Sequence, residues 1–146
     1  MLRLLEFLAT LPTAIFAGAA LYINVVEHPA RMSLDTRSAA LEWAPSYRRA
    51  TWMQAPLAAL GLLAGLGAWM AGGGLAWAAG ALLIGAVIPV TLIVIFPTNQ
   101  RLLAPDRDLA SAETRALLGR WARLHALRSS LSLAATLVYL WAALVG

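Results

Sequence analysis

The first stretch of the sequence that could do chemistry is LYINVVEHPARM, which begins at residue 21 where a long apolar segment ends. Asn24, Glu27 and His28 are spaced i, i+3, i+4, so a helix presents all three on one face. Polar and ionisable groups at membrane depth are costly and need partners. Amide, carboxylate and imidazole groups together suit acid–base chemistry or metal binding, and this face therefore indicates a site.

A second stretch, WARLHALR, offers the partners that the first one needs. Trp121, His125 and Arg128 are spaced i, i+4, i+7 and again share one helical face. His28 and His125 are the only two histidines of the chain. We predict that the two faces meet at one end of a helical bundle.

The composition indicates a membrane protein. Of the 146 residues, 61% are hydrophobic and 12% are charged, whereas soluble domains carry roughly 25% charged residues. The eleven basic residues are all arginine, and they lie beside apolar segments, so the net charge of +4 reflects membrane topology and not nucleic-acid binding. The absence of cysteine excludes disulfides and thiolate sites.

Four apolar segments, at about residues 4–26, 52–71, 75–96 and 127–145, lie within a single domain covering residues 1–146. Each approaches the ~20 residues that cross a hydrocarbon core, and in lipid each must be helical. The last helix should extend back to about residue 112, where Ser111 can cap it. The fold class is therefore predicted to be all-α, an integral membrane antiparallel four-helix bundle.

The two long links hold nearly all the arginines, so the positive-inside rule places both links in the cytoplasm and both termini outside it. We expect a short interfacial helix in each link. The first would be capped at Ser33 or Asp35, reach Trp43 and end at Pro45; the second would be a turn around residues 102–103. Pro29 is expected to end the first helix near His28, and the third span to end at residues 96–97.

The polar residues collect at the predicted cytoplasmic ends of the spans, where a small-ligand pocket is expected. They are Asn24, Glu27, His28, Tyr47, Arg48, Arg49, Gln54, Asn99, Trp121, His125 and Arg128. Other roles remain open for some residues: Trp43, Tyr47 and Trp52 could anchor the headgroup region, and Glu27 could pair with Arg31 or Arg128.

Three functional classes are compatible with these residues. One is a small-molecule enzyme. Another is a redox protein in which His28, His125 and Glu27 hold a metal ion, or the two histidines hold haem iron axially. The third is a non-enzymatic membrane protein whose polar faces only fix helix packing.

Four runs, NVVEHPARM, WAPSYRRA, FPTNQRLL and RWARLHALRS, resemble the anthrone oxygenase-like family of small four-span membrane proteins, which are common in bacteria. The resemblance covers nearly the whole chain. Its most specific parts are Pro97 with Asn99, and Trp121 with His125 and Arg128. It implies a bacterial inner-membrane protein and cofactor-free oxidation of an anthrone to an anthraquinone by molecular oxygen.

Under that resemblance, the residues take specific roles. His125 is the expected base, with His28 as the alternate, and Asn99 and Arg128 donate hydrogen bonds to the enolate oxygen. Trp121, Trp52 and Trp43 form walls, Glu27 orients a histidine or balances Arg128, and Asn24, Tyr47 and Gln54 complete the substrate site. The expected partners are the lipid bilayer and a small lipophilic ligand; no nucleic acid and no cofactor are expected, and a homo-oligomer is left open.

Overall fold

The computed structural model of the protein describes all of residues 1–146 as helices and short connections, with no strand. Its four long helices are α1 (Leu2–Met32), α2 (Thr36–Gly73), α3 (Leu75–Leu102) and α4 (Ala112–Val145). Each is long and apolar enough to cross a membrane. The chain is thus an all-helical membrane protein, as the composition predicted.

The helices form a closed arrangement in which α1 and α3 each pack against both α2 and α4. Arg3, near the start of α1, donates to the carbonyl of Gly146 over 3.4 Å, while Asn24 reaches the carbonyl of Ala122. The start of α1 therefore lies beside the end of α4. This pairing brings the second half of α1 to the first half of α4, where both predicted polar faces are located.

Two helices contain a wide, π-helical turn shortly before a proline. In α1 it covers Ile23–Glu27 and precedes Pro29; in α3 it covers Val90–Ile95 and precedes Pro97. Proline has no N–H and its ring clashes with the carbonyl four residues earlier. Hydrogen bonds to the fifth preceding residue, such as His28 N–H to the Ile23 carbonyl, accommodate this.

Because of these wide turns, the prolines do not end their helices. The expectation that α1 ends near His28 was wrong, since it continues to Met32. The third helix likewise continues past residues 96–97 to Leu102. In both cases the backbone widens before the proline, so the helix can continue beyond it.

The connection between α1 and α2 is a three-residue corner. The carboxylate of Asp35 caps α2 by accepting from the Ser38 N–H over 3.0 Å, and hydrogen bonds from Ser38 hold the pKa of this carboxyl below its ordinary value. From Thr36 the helix runs without a break to Ala68. The separate helix ending at Pro45 was therefore a wrong prediction, because Pro45 is accommodated inside α2.

The far end of the molecule is held by close packing around Tyr139 of α4. Its hydroxyl donates to the carbonyl of Gly61 over 3.0 Å, and its ring stacks on Trp77 with centroids 5.2 Å apart. A Cβ atom at Gly65 would lie 1.9 Å from the Tyr139 Oη atom, and one at Gly80 would lie 2.4 Å from Tyr139 Cε1. These glycines allow α2 and α3 to approach α4 closely.

Candidate functional site

His125 is held in one orientation by a side chain of the opposite helix. Its Nδ1 atom lies 2.7 Å from Oδ1 of Asn24, which also accepts from the Ser129 hydroxyl over 2.6 Å. The Asn24 amide nitrogen donates to the Ala122 carbonyl over 3.0 Å, so its oxygen faces the imidazole. An amide oxygen only accepts, and neutral His125 therefore carries its hydrogen on Nδ1 and its lone pair on Nε2.

Arg128 is a buried cation one helical turn beyond His125. Its Nη2 atom donates to Oε1 of Gln54 over 2.8 Å, and its guanidinium lies over the Phe16 ring, 5.2 Å from the centroid. Two buried donors here have no partner in the chain, Nε of Arg128 and Nε2 of Gln54. Unpaired buried donors are costly, so this pair offers hydrogen bonds to an acceptor that the chain itself does not supply.

These groups surround a small inner cavity of about 10 Å³, the volume that one water molecule needs. Aromatic rings and polar side chains from all helices except α3 line it. The lining residues are Ile23, Arg31, Trp43, Ser46, Tyr47, Ala50, Thr51, Gln54, Trp121, His125 and Arg128. The imidazole of His125 thus shares one enclosed space with a guanidinium and an amide.

The Trp121 ring contacts both histidines. Its ring centroid is 4.8 Å from that of His125 and 5.5 Å from that of His28. Trp43 meets the other side of Trp121 edge-on at 5.7 Å and stacks on Tyr47 at 5.1 Å. The predicted convergence of the two faces therefore occurs, and both imidazoles meet the same indole ring.

A second polar cluster is centred on Arg31, which is buried and also borders the inner cavity. Its guanidinium pairs with Glu27 and with Glu42 and lies 3.3 Å from Nδ1 of His28. Arginine only donates, so His28 presents its Nδ1 lone pair to Arg31 and carries its hydrogen on Nε2. Of the two partners considered for Glu27, the structure shows Arg31 and not Arg128.

The three residues suggested for a metal ion are engaged with other groups of the protein. Glu27 is committed to Arg31, and His28 Nδ1 faces the same cation. No three His, Asp or Glu side chains are grouped as metal ligands. This arrangement leaves the three-ligand alternative without a common centre.

The structure does not bring every candidate residue to the cavity. Six of them line it: Trp43, Tyr47, Gln54, Trp121, His125 and Arg128. Asn24 does not line the cavity but contacts Nδ1 of His125. Trp52 was expected to form a wall, but it is 85% exposed on the outside of α2. Asn99 is buried with both amide atoms unpartnered, yet it is not among the lining residues, and neither are Glu27 and His28.

The sequence analysis did not assign four polar residues to the site. They are Ser46, Thr51, Ser129 and Arg31, which was considered only as a partner of Glu27 and not as a buried residue. Arg31 is four residues after Glu27 and three after His28, so helical spacing could have found it had the helix been continued through Pro29. Ser129 is four residues after His125 and was detectable in the same way.

The chain is similar to a known protein family over much of its length. The family model described as anthrone oxygenase matches residues 43–138, a range that contains every cavity-lining residue except Ile23 and Arg31. No curated protein and no solved structure matches the chain.

Proposed function

Because the chain belongs to the anthrone oxygenase family, we propose that it is a membrane-embedded oxygenase that oxidises a flat lipophilic ketone without a cofactor. The observation that carries this proposal is the contact of His125 with Asn24. It leaves the Nε2 lone pair unengaged in a cavity that also holds unpartnered donors of Arg128 and Gln54. A base beside an anion-stabilising pair is what proton abstraction next to a carbonyl system requires.

The proposed reaction starts at a methylene group flanked by aryl rings and conjugated through them to a ketone. His125 Nε2 accepts one proton from this carbon, and the electron pair moves to the ketone oxygen, giving an enolate. The enolate then reduces molecular oxygen while a carbon–oxygen bond forms, and protonation gives a hydroperoxide. Loss of water leaves a new carbonyl, so one oxygen atom enters the product and the other becomes water.

Arg128 and Gln54 supply the electrostatic part of this mechanism. The charge that develops on the ketone oxygen is stabilised by hydrogen bonds from Arg128 Nε and Gln54 Nε2, neither of which has a partner in the chain. Burial strengthens these hydrogen bonds, because little water competes for the oxygen. The bond between Arg128 and Gln54 Oε1 holds both donors in place before substrate binds.

The membrane arrangement belongs to the same proposal. The four helices form an antiparallel bundle, with the arginine-rich links in the cytoplasm of a bacterium and both termini on the other side. The first turns of α2 and α4 then lie at the cytoplasmic interface. In this arrangement His125 lies just inside the membrane boundary, within reach of a substrate dissolved in the lipid.

The test is oxygen uptake by the purified protein supplied with anthrone, after subtraction of spontaneous oxidation in protein-free micelles. His125→Asn retains an amide donor toward Asn24 but has no basic nitrogen, so we expect kcat to fall by roughly 10²–10⁴-fold. His28→Gln is the control, because His28 does not line the cavity. Full activity in His125→Asn, or no oxygen uptake by the wild type, would overturn the proposal.

A further inference from the structure

A second, larger cavity adjoins the inner one. It is a groove of about 260 Å³ between α2 and α3, close to the lower end of the ~300–1,000 Å³ typical of small-molecule sites. Phe16 of α1 and Arg128 of α4 lie at its base, while Ala58 and Val87 line its sides. The inner cavity has room for only one water-sized molecule. A ring system therefore needs the larger groove.

The groove and the inner cavity share two residues, Thr51 and Arg128. Arg128 therefore presents its guanidinium at the boundary, with one face over Phe16 and Nη2 bonded to Gln54. A molecule lying in the groove would have its inner edge at this boundary. From there, it adjoins the cavity that His125 lines.

The groove is apolar along its length. The Thr51 hydroxyl donates to the Tyr47 carbonyl over 2.9 Å, and the Thr91 hydroxyl donates to the Val87 carbonyl over 2.7 Å. Both hydroxyls are thus satisfied within their own helices. The one unpartnered polar atom is Nε of Arg128 at the inner end, which indicates a ligand with an apolar flat body and an oxygen at one end.

The groove is also open on the outside of the helices. Ala55 of α2 and Leu92 of α3 line it and are exposed, Leu92 by 61%. In a membrane-embedded helix these positions face the acyl chains, so the mouth opens toward lipid and not toward water. The small side chain of Ala55 leaves this mouth unobstructed.

We propose that this groove binds the ring system of the substrate and admits it sideways from the bilayer, with the substrate's oxygen directed to Arg128. The inference rests on the proposed function and adds to it a binding site and an entry route. The substrate class is a planar, uncharged polycyclic ketone that partitions into the membrane.

The experiment narrows the mouth from either side. Ala55→Trp and Leu92→Trp place an indole at the rim, and both positions are exposed, so folding is not threatened. Leu63→Trp is the matched control on α2, since Leu63 is 66% exposed and does not line the groove. Anthraquinone, which does not react with oxygen, is the binding probe, and it is followed by quenching of tryptophan fluorescence in micelles.

We expect both rim variants to raise the Kd for anthraquinone and the KM for anthrone by about tenfold or more, with kcat changed far less and with Leu63→Trp like the wild type. This pattern in binding alone, without oxygen uptake by the wild type, would support the groove and refute the proposed oxidation. Conversely, rim variants that bind and turn over like the wild type, while His125→Asn is inactive, would overturn the groove and leave the oxidation standing.

Discussion

Asn24 and His125 are 101 positions apart in the chain, and a hydrogen bond of 2.7 Å joins them. The bond connects the wide turn of α1 to the first half of α4. Since the Asn24 amide is itself fixed by the Ala122 carbonyl, the position and tautomer of the imidazole are set by a helix to which it does not belong. The site is complete only when the first and last helices are docked.

The Asn24–His125 bond can be tested by removing its acceptor. Asn24→Leu keeps the approximate volume but leaves His125 Nδ1 without a partner, so the imidazole can rotate and change tautomer. We expect kcat for anthrone to fall by at least about tenfold, as for a histidine base that loses its orienting group, with KM little changed. Ser129→Ala, which leaves the bond to His125 intact, should retain most activity.

Gln54 can be changed to a near-isosteric carboxylate. In Gln54→Glu, the new carboxylate pairs with Arg128 and the unpartnered Nε2 donor disappears. We expect the protein to fold normally, and oxygen uptake to fall by about 10²–10³-fold because the enolate oxygen loses the Gln54 donor and meets a carboxylate instead. Gln100→Glu changes the other glutamine of the chain, which is exposed, and should be without effect. Equal activity in the two variants would contradict the role given to Gln54.

Substitution of Pro29 should change stability and activity in opposite directions. Pro29→Ala restores a backbone N–H, and the wide turn Ile23–Glu27 can then close to ordinary α-helix. The free energy of unfolding should rise, by at most ~3 kcal/mol, while Asn24 rotates away from His125 and activity falls. Thermal unfolding and oxygen uptake measured together check this prediction; a variant that is both more stable and fully active would contradict it.

Gly80 tests the packing at the far end of the helices. In Gly80→Ala the new Cβ would lie 2.4 Å from Cε1 of Tyr139, so we expect overpacking to cost about 1–3 kcal/mol of unfolding free energy. Gly18→Ala is the control, because a Cβ there meets nothing within 4 Å. A lower melting temperature in Gly80→Ala alone would be the expected result, and identical melting of the two variants would refute it.

Those features that depend on periodicity and composition could be predicted from the sequence. Helical spacing placed Trp121, His125 and Arg128 on one face, and all three line the inner cavity. Ser111 was expected to cap α4, and it accepts from the Thr114 N–H over 3.1 Å, which confirms that prediction. Such features are local, since they depend on residues within a turn or two of each other.

The remaining features are the continuity of the helices and the exposure of individual side chains. Both depend on how the helices pack, which the sequence pattern alone does not specify. Trp52 and Trp43 have the same side chain in the same helix, yet one is 85% exposed and the other is buried. Nine positions apart on one continuous helix, the two side chains point to opposite faces, and the helix end expected at Pro45 concealed this relation. Similarly, the prolines of α1 and α3 suggested helix ends, because a widened turn leaves no mark in composition.

Arg115 of α4 donates to the carbonyls of Met32 and Leu34, 83 and 81 positions earlier in the chain. Hydrogen bonds from a residue that is added to the chain much later therefore stabilise the connection between the first two helices. During synthesis, α1 and α2 are complete before Arg115 is added. The Met32 and Leu34 carbonyls can hydrogen-bond only to water until α4 packs against this connection. The last helix to be synthesised thus completes the hydrogen bonding of the first connection in the chain.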